Sequence, residues 1–98
     1  MSHVVSVEFW LKSSSLDEAL PVLHDALVAT RAFDGCVQVD VLAESDDPAH
    51  LFVVEQWSTP EHRAAYRAWR AGEGALTQLA PFLAGPPVSD KYAHHPAI

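Results

Sequence analysis

Hydrophobic and polar residues alternate from His3 to Lys12. Val5, Val7, Phe9 and Leu11 fall on one side and Val4, Ser6, Glu8 and Trp10 on the other, a period of two that predicts a β-strand. Phe9 and Trp10 put large apolar groups on opposite sides, so both faces of this strand are expected to be covered. The spacing then lengthens to three and four at Leu16, Leu20, Leu23, Leu27 and Thr30, which predicts an amphipathic helix running to about Phe33. Ser15-Leu16-Asp17-Glu18 reads as a capping box that opens it. Pro21 lies inside and predicts either a kinked first turn or a later regular start. Asp34-Gly35 ends the helix, with Gly35 as a left-handed cap.

Alternation returns twice more. A second strand is expected from Cys36 to Ala43, with Val37, Val39 and Val41 on one face and Cys36, Gln38, Asp40 and Leu42 on the other. A third strand, His50 to Trp57, sets Leu51, Val53, Glu55 and Trp57 against Phe52, Val54 and Gln56. The acidic segment Glu44 to Ala49 joins the two as a hairpin, too long for a two-residue turn. Thr59 as N-cap, Pro60 at the first helical position and Glu61 after it predict a second helix, ending near Gly72. A further helical piece is expected at Ala75 to Leu83, limited by Pro81, and then a turn at Gly85-Pro86-Pro87. Val88 to Tyr92 is the fourth strand and Ala93 to Ile98 a tail that is loose or held by a neighbouring subunit. The order β-α-β-β-α-β predicts an α+β, ferredoxin-like fold with an antiparallel sheet and its helices on one face. The helix-free face then needs a cover, and a second sheet is the natural one.

At 98 residues, 49% of them hydrophobic, the chain fits one domain over residues 1–98 with a modest core that association would strengthen. A homodimer is expected. The formal charge of −7 argues against nucleic acid and against a membrane surface as partners. No stretch reaches the roughly 20 apolar residues of a membrane span, and the first residues lack the basic region of a leader. With a single cysteine, Cys36, a cytoplasmic location is expected.

Several short motifs together resemble the antibiotic biosynthesis monooxygenase family: AxxATRAFDGC at the end of the first helix, the Asp46-Asp47-Pro48 turn, Glu55-Gln56-Trp57 at a strand end, and the helix TPEHRAAYRAWR. The resemblance implies a dimeric α/β barrel, two sheets packed face to face, with a pocket in each subunit between its own sheet and helices. It also implies reactions that range over cofactor-free oxygenation of quinols and polyketides, haem degradation and isomerisation, so the fold does not choose among them. Many members carry a histidine nine residues after the tryptophan of the Glu-x-Trp motif; Tyr66 stands there in this chain. The haem-degrading branch uses an asparagine in its first strand, and this chain has no asparagine. Haem degradation is disfavoured.

The candidate chemistry lies on the second helix and the strand before it. His62, Tyr66 and Trp69 follow at i, i+4 and i+7 and share a face. They are either a pocket wall, with Tyr66 or His62 handling a proton, or an amphipathic core stripe. Glu55 and Trp57 sit on one strand face; Glu55 is a candidate base towards a phenol or, alternatively, half of a structural salt bridge. Arg63, Arg67 and Arg70 make a second stripe holding half of the six cations, either attracting an anionic quinolate or carboxylate or forming a solvated face. His24 is read as a surface or half-buried packing residue, and Cys36 as a small core group. His94 and His95 are too weak a cluster for a metal site, and there is no phosphate loop or dinucleotide-binding glycine motif.

The leading expectation is a homodimeric, cofactor-independent monooxygenase acting on a small electron-rich aromatic, a hydroquinone or polyketide anthrone, with dioxygen. Tyr66, His62 and Glu55 are the candidate catalytic residues, with Trp57, Trp10, Trp69 and Arg63 binding substrate and no cofactor or metal. The alternatives are a dimeric small-ligand-binding or stress-associated protein without turnover, and an isomerase.

Overall fold

The structure, a computed structural model, describes residues 3–98. Four strands, β1 (His3–Trp10), β2 (Cys36–Glu44), β3 (Asp47–Trp57) and β4 (Val88–Ala93), form one antiparallel sheet in the order β2-β3-β1-β4. Helices α1 (Leu16–Ala32) and α2 (Pro60–Arg70) pack on one face of it. This is the ferredoxin-like α+β arrangement that the alternation predicted.

The period-two pattern sorts the strand residues as expected. Val5, Phe9, Leu51, Val53, Glu55 and Trp57 are buried towards the helices, and Ala19, Leu23 and Leu27 of α1 close the main core over β1 and β3. Each such aliphatic side chain stabilises the fold by about 1.5–3 kcal/mol. The other face carries Val4, Glu8 and Trp10 with His50, Phe52 and Val54, all half-buried. On the flanking strands, Leu42, Val88 and Tyr92 are exposed.

Five local expectations change. The regular helix starts at Leu16, but Ser15 makes no side-chain cap; its hydroxyl donates to the Lys12 carbonyl, and a 3-10 turn at Ser13–Ser15 leads into α1. Pro21 is accommodated within a continuous α1. A register shift between Cys36 and Gln38 turns Cys36 inwards opposite Trp57, together with Val39, and leaves Val37 exposed. An extra residue of this kind defeats strict alternation. The acidic hairpin does close with a two-residue turn, Ser45-Asp46, because β3 reaches back to Asp47 and pairs it with Glu44. Carboxylates hold that end: Glu44 accepts the Asp46 amide and Asp47 the Ala49 amide, each at 3.0 Å. The helical piece expected at Ala75 to Leu83 is reduced to turns and one 3-10 turn, Ala80–Phe82, with Pro81 near its start.

Candidate functional site

Helix α2 begins as its sequence dictates. Thr59 Oγ1 accepts the His62 amide at 3.1 Å, and Pro60 occupies the first turn, where no donor is needed. The face it then turns to the sheet is unusual, since the buried residues of α2 are Arg63 and Tyr66. Burying a guanidinium requires a partner. Glu55, 3% exposed and aimed inwards from β3, provides it: its Oε1 accepts from Arg63 Nε at 2.9 Å and from the Trp57 indole at 3.0 Å. Arg63 Nη1 remains buried without a hydrogen-bond partner.

The Tyr66 hydroxyl sits in a second network. It accepts from Arg70 Nε at 2.8 Å and lies 2.8 Å from Thr30 Oγ1. Thr30, on α1 and fully buried, also reaches the Ala26 carbonyl at 3.1 Å and accepts from Arg70 Nη2 at 3.1 Å. With its own hydrogen donated to Ala26, Thr30 accepts a hydrogen bond from the Tyr66 O–H; if it donates to Tyr66 instead, the Tyr66 O–H is free to donate to another acceptor. Arg70 is held further by the carbonyls of Ala26, at 2.7 Å, and Gly74, at 3.1 Å, and its guanidinium lies 4.5 Å from the Trp69 ring centre. Arg63 and Arg70 each stand 5.2 Å from the Tyr66 ring centre. Gly74 packs against Trp69 so closely that a Cβ there would enter the indole.

A cavity of about 390 Å³ opens between β1, the start of β4, α2 and the segment that follows it. Val7, Phe9 and Leu76 supply apolar wall, while Glu55, Tyr66 and the three arginines 63, 67 and 70 supply the polar groups. A smaller cavity, about 280 Å³, lies on the α1 side of Arg70 beside Ala26 and Leu76. Apolar walls with a few convergent polar groups are the usual make-up of a small-molecule site.

The structure brings Glu55, Arg63 and Tyr66 together on the large cavity. Trp57 is fully buried behind them, its ring 5.0 Å from Tyr66 and 6.2 Å from Phe33. Trp69 flanks Tyr66 and Arg70 without lining the cavity. His62 lies away from it, with Nδ1 2.7 Å from Thr59 Oγ1, Nε2 3.8 Å from Asp34 and its ring over Gly35. Gly35 has φ +85°, the left-handed conformation expected of it. Trp10 is on the opposite sheet face, stacked 5.0 Å from His50, whose Nε2 is 2.8 Å from Glu8. The arginine stripe is not a uniformly solvated face: Arg67 is exposed, but Arg63 is buried and Arg70 half-buried.

Thr30 and Arg70 are the residues that sequence reasoning undervalued. The available signal was a hydroxyl at the end of the α1 leucine line. Cys36, half-buried beside this group, has its thiol pKa raised, first by burial and then by the Glu55 charge. Among the described residues no cluster of three or more histidine, cysteine or acidic side chains is placed to hold a metal, and no helix is long and apolar enough to cross a membrane.

The family model for antibiotic biosynthesis monooxygenases matches residues 2–77. No curated protein matches significantly. Among solved structures, a conserved protein of Methanosarcina mazei is similar at 16% identity and TM-score 0.81, over 94% of this chain and 91% of that one. The Mycobacterium tuberculosis protein Rv0793 matches at 19% identity and TM-score 0.81, covering 97% and 96% of the two chains. A structure described as an antibiotic biosynthesis monooxygenase matches at 22% identity and TM-score 0.79, over 98% of this chain and 100% of that one.

Proposed function

Since the chain belongs to the antibiotic biosynthesis monooxygenase family, we propose that it is a cofactor-independent monooxygenase of a small electron-rich aromatic, a hydroquinone or anthrone-like phenol. The observation that carries this reading is the cavity in which the Tyr66 hydroxyl, backed by Thr30 and Arg70, meets apolar walls and the Arg63–Glu55 pair.

In this chemistry the substrate provides the electrons. Loss of a phenolic proton gives an anion that passes one electron to dioxygen; the two radicals recombine, and loss of water leaves one oxygen atom in the product. An anthrone CH2 thus becomes C=O, or a hydroquinone ring C–H becomes C–OH as the ring is oxidised to the quinone, while dioxygen yields that oxygen and one water. The protein contributes proton handling, orientation and a site with little water. Tyr66 is assigned the proton relay, because turning the Thr30 hydroxyl changes which acceptor the Tyr66 O–H donates its hydrogen bond to. Arg63 and Arg70 stabilise negative charge developing beside the Tyr66 ring. Glu55 is assigned as the group that positions Arg63, since its Oε1 already accepts two hydrogen bonds.

A homodimer joined through the helix-free sheet face belongs to this proposal. Half-buried Phe52 and Val54 beside exposed Leu42, Val88 and Tyr92 leave apolar surface there for a second sheet to cover. A cytoplasmic setting suits a free, half-buried thiol.

One alternative has a specific observation in its favour. Glu55 and Tyr66 both spend hydrogen-bonding capacity on protein partners, as they would in a protein that binds an aromatic molecule without turning it over. Oxygen uptake by metal-stripped protein with reduced naphthoquinols and anthrones, corrected for autoxidation, separates the two. The oxygenase reading expects saturable uptake that falls at least about a hundredfold in Tyr66→Phe. Binding without uptake above background would leave the ligand-binding reading.

A further inference from the structure

The cavity has a charge imbalance that the proposed reaction uses only in part. Its described lining contains three arginines, 63, 67 and 70, and one carboxylate, Glu55, an excess of two positive charges in a chain of net charge −7. Arg63 and Arg67 are four residues apart on α2, a spacing at which like charges repel. Glu55 answers Arg63 only through Nε, and the neighbouring Nη1 is buried with no acceptor. A buried guanidinium nitrogen without a partner is costly, and the group missing from such a place is an acceptor oxygen, best an anionic one. Arg70 is not the free cation, because protein oxygens already take four of its hydrogen bonds. What remains open is the Nη1 donor of Arg63 and the charge of exposed Arg67.

We infer that the ligand of this cavity carries a carboxylate, which Arg63 and Arg67 bind. The aromatic nature of the ligand rests on the oxygenase reading, whereas the carboxylate rests on the charge and hydrogen bonding of the cavity. A carboxylate fits better than a phenol for two reasons. It is ionised before any reaction step, and its two oxygens match the paired donors of a guanidinium. The acid group would anchor the ring from the α2 side and leave its electron-rich carbon over Val7 and Phe9, beside Tyr66. A neutral quinol of the same size offers the Arg63 nitrogen a hydroxyl oxygen but leaves the Arg67 charge unanswered.

Calorimetric titration with 1-hydroxy-2-naphthoate and with its methyl ester tests this, because the two differ in charge and hardly in ring. The acid is expected to bind at least about tenfold more tightly than the ester. That advantage should shrink severalfold in Arg67→Gln, which alters an exposed side chain, or in Arg63→Lys, which retains a cation for Glu55 but removes the paired donors. Equal affinity for acid and ester, failure of the acid to bind, or an advantage untouched by both variants would overturn the inference. Oxygen uptake separates its fate from that of the reaction. With 1,4-dihydroxy-2-naphthoate and 1,4-dihydroxynaphthalene as substrates, tight binding of the acid without uptake sinks the oxygenase reading and keeps the carboxylate site. Uptake with the same KM for both compounds sinks the carboxylate site and keeps the oxygenase.

Discussion

Replacing Arg63 with methionine removes a cation from beside a carboxylate that cannot reach water. The Arg63 and Glu55 side chains are 9% and 4% exposed and meet at 2.9 Å. With Arg63 gone, Glu55 keeps the Trp57 indole but must carry its charge unpaired or take up a proton, and breaking a buried pair in this way costs about 3–5 kcal/mol. In a domain of this length that lowers the melting temperature by roughly 15 °C or more. Glu55→Leu should cost about as much, since it strands the Arg63 charge and leaves the Trp57 N–H without its acceptor. The double variant has no stranded charge. Only the orphaned indole remains, at about 1–3 kcal/mol, so the two single costs should exceed the double by roughly 3 kcal/mol or more. Urea unfolding of the four proteins at one fixed protein concentration gives this cycle, the fixed concentration removing any contribution from association. Single costs below about 1 kcal/mol, or costs that simply add, would refute the idea that Glu55 and Arg63 form a dry pair.

Thr30→Val should destabilise by about 1–3 kcal/mol, because Tyr66 and Arg70 lose a buried partner of the same shape, and Thr30→Ser should restore most of it; chemical denaturation compares them. Gly35→Ala should cost about 1–2 kcal/mol for its positive φ and more for the collision of its Cβ with His62, so adding His62→Ala should recover only the collision part. Cys36 should react slowly with thiol reagents at neutral pH and rapidly once the chain is unfolded, because burial and Glu55 keep the folded thiol protonated. A raised thiol pKa favours the folded chain while the unfolded thiol is also protonated. That contribution is lost as pH climbs from the unfolded thiol value through the folded one, and Cys36→Ala should flatten the alkaline fall in stability.

The architecture was legible because the two central strands, β1 and β3, each have one buried face, so that Val5, Phe9, Leu51 and Val53 announce their side by alternation alone. The irregularities were not. A bulge after Cys36 and the long arm of β3 back to Asp47 depend on backbone hydrogen bonds between strands, which no side-chain period records. Part of the site could be read as well: Glu55 and Trp57 on one strand face, and Tyr66 four residues beyond His62. Helical spacing alone, however, cannot decide which side of α2 is buried when both sides carry polar residues. His62 therefore stood level with Tyr66 as a candidate, although its ring packs over Gly35. The arginine stripe read as solvated for a related reason. Charge normally faces water, and only contact with Glu55 and Thr30, distant in sequence, reveals that Arg63 and Arg70 turn inwards.

Insertion of one atom of dioxygen into an aromatic ligand, with electrons drawn from that ligand, is the reaction proposed for this cavity. The direct measurement is mass spectrometry of product formed under 18O2 by metal-stripped protein, with oxygen consumption and hydrogen peroxide followed together. One labelled oxygen per product molecule, one dioxygen consumed per product and no accumulation of peroxide are expected. Product without label, or peroxide formed in step with oxygen consumed, would contradict that reaction.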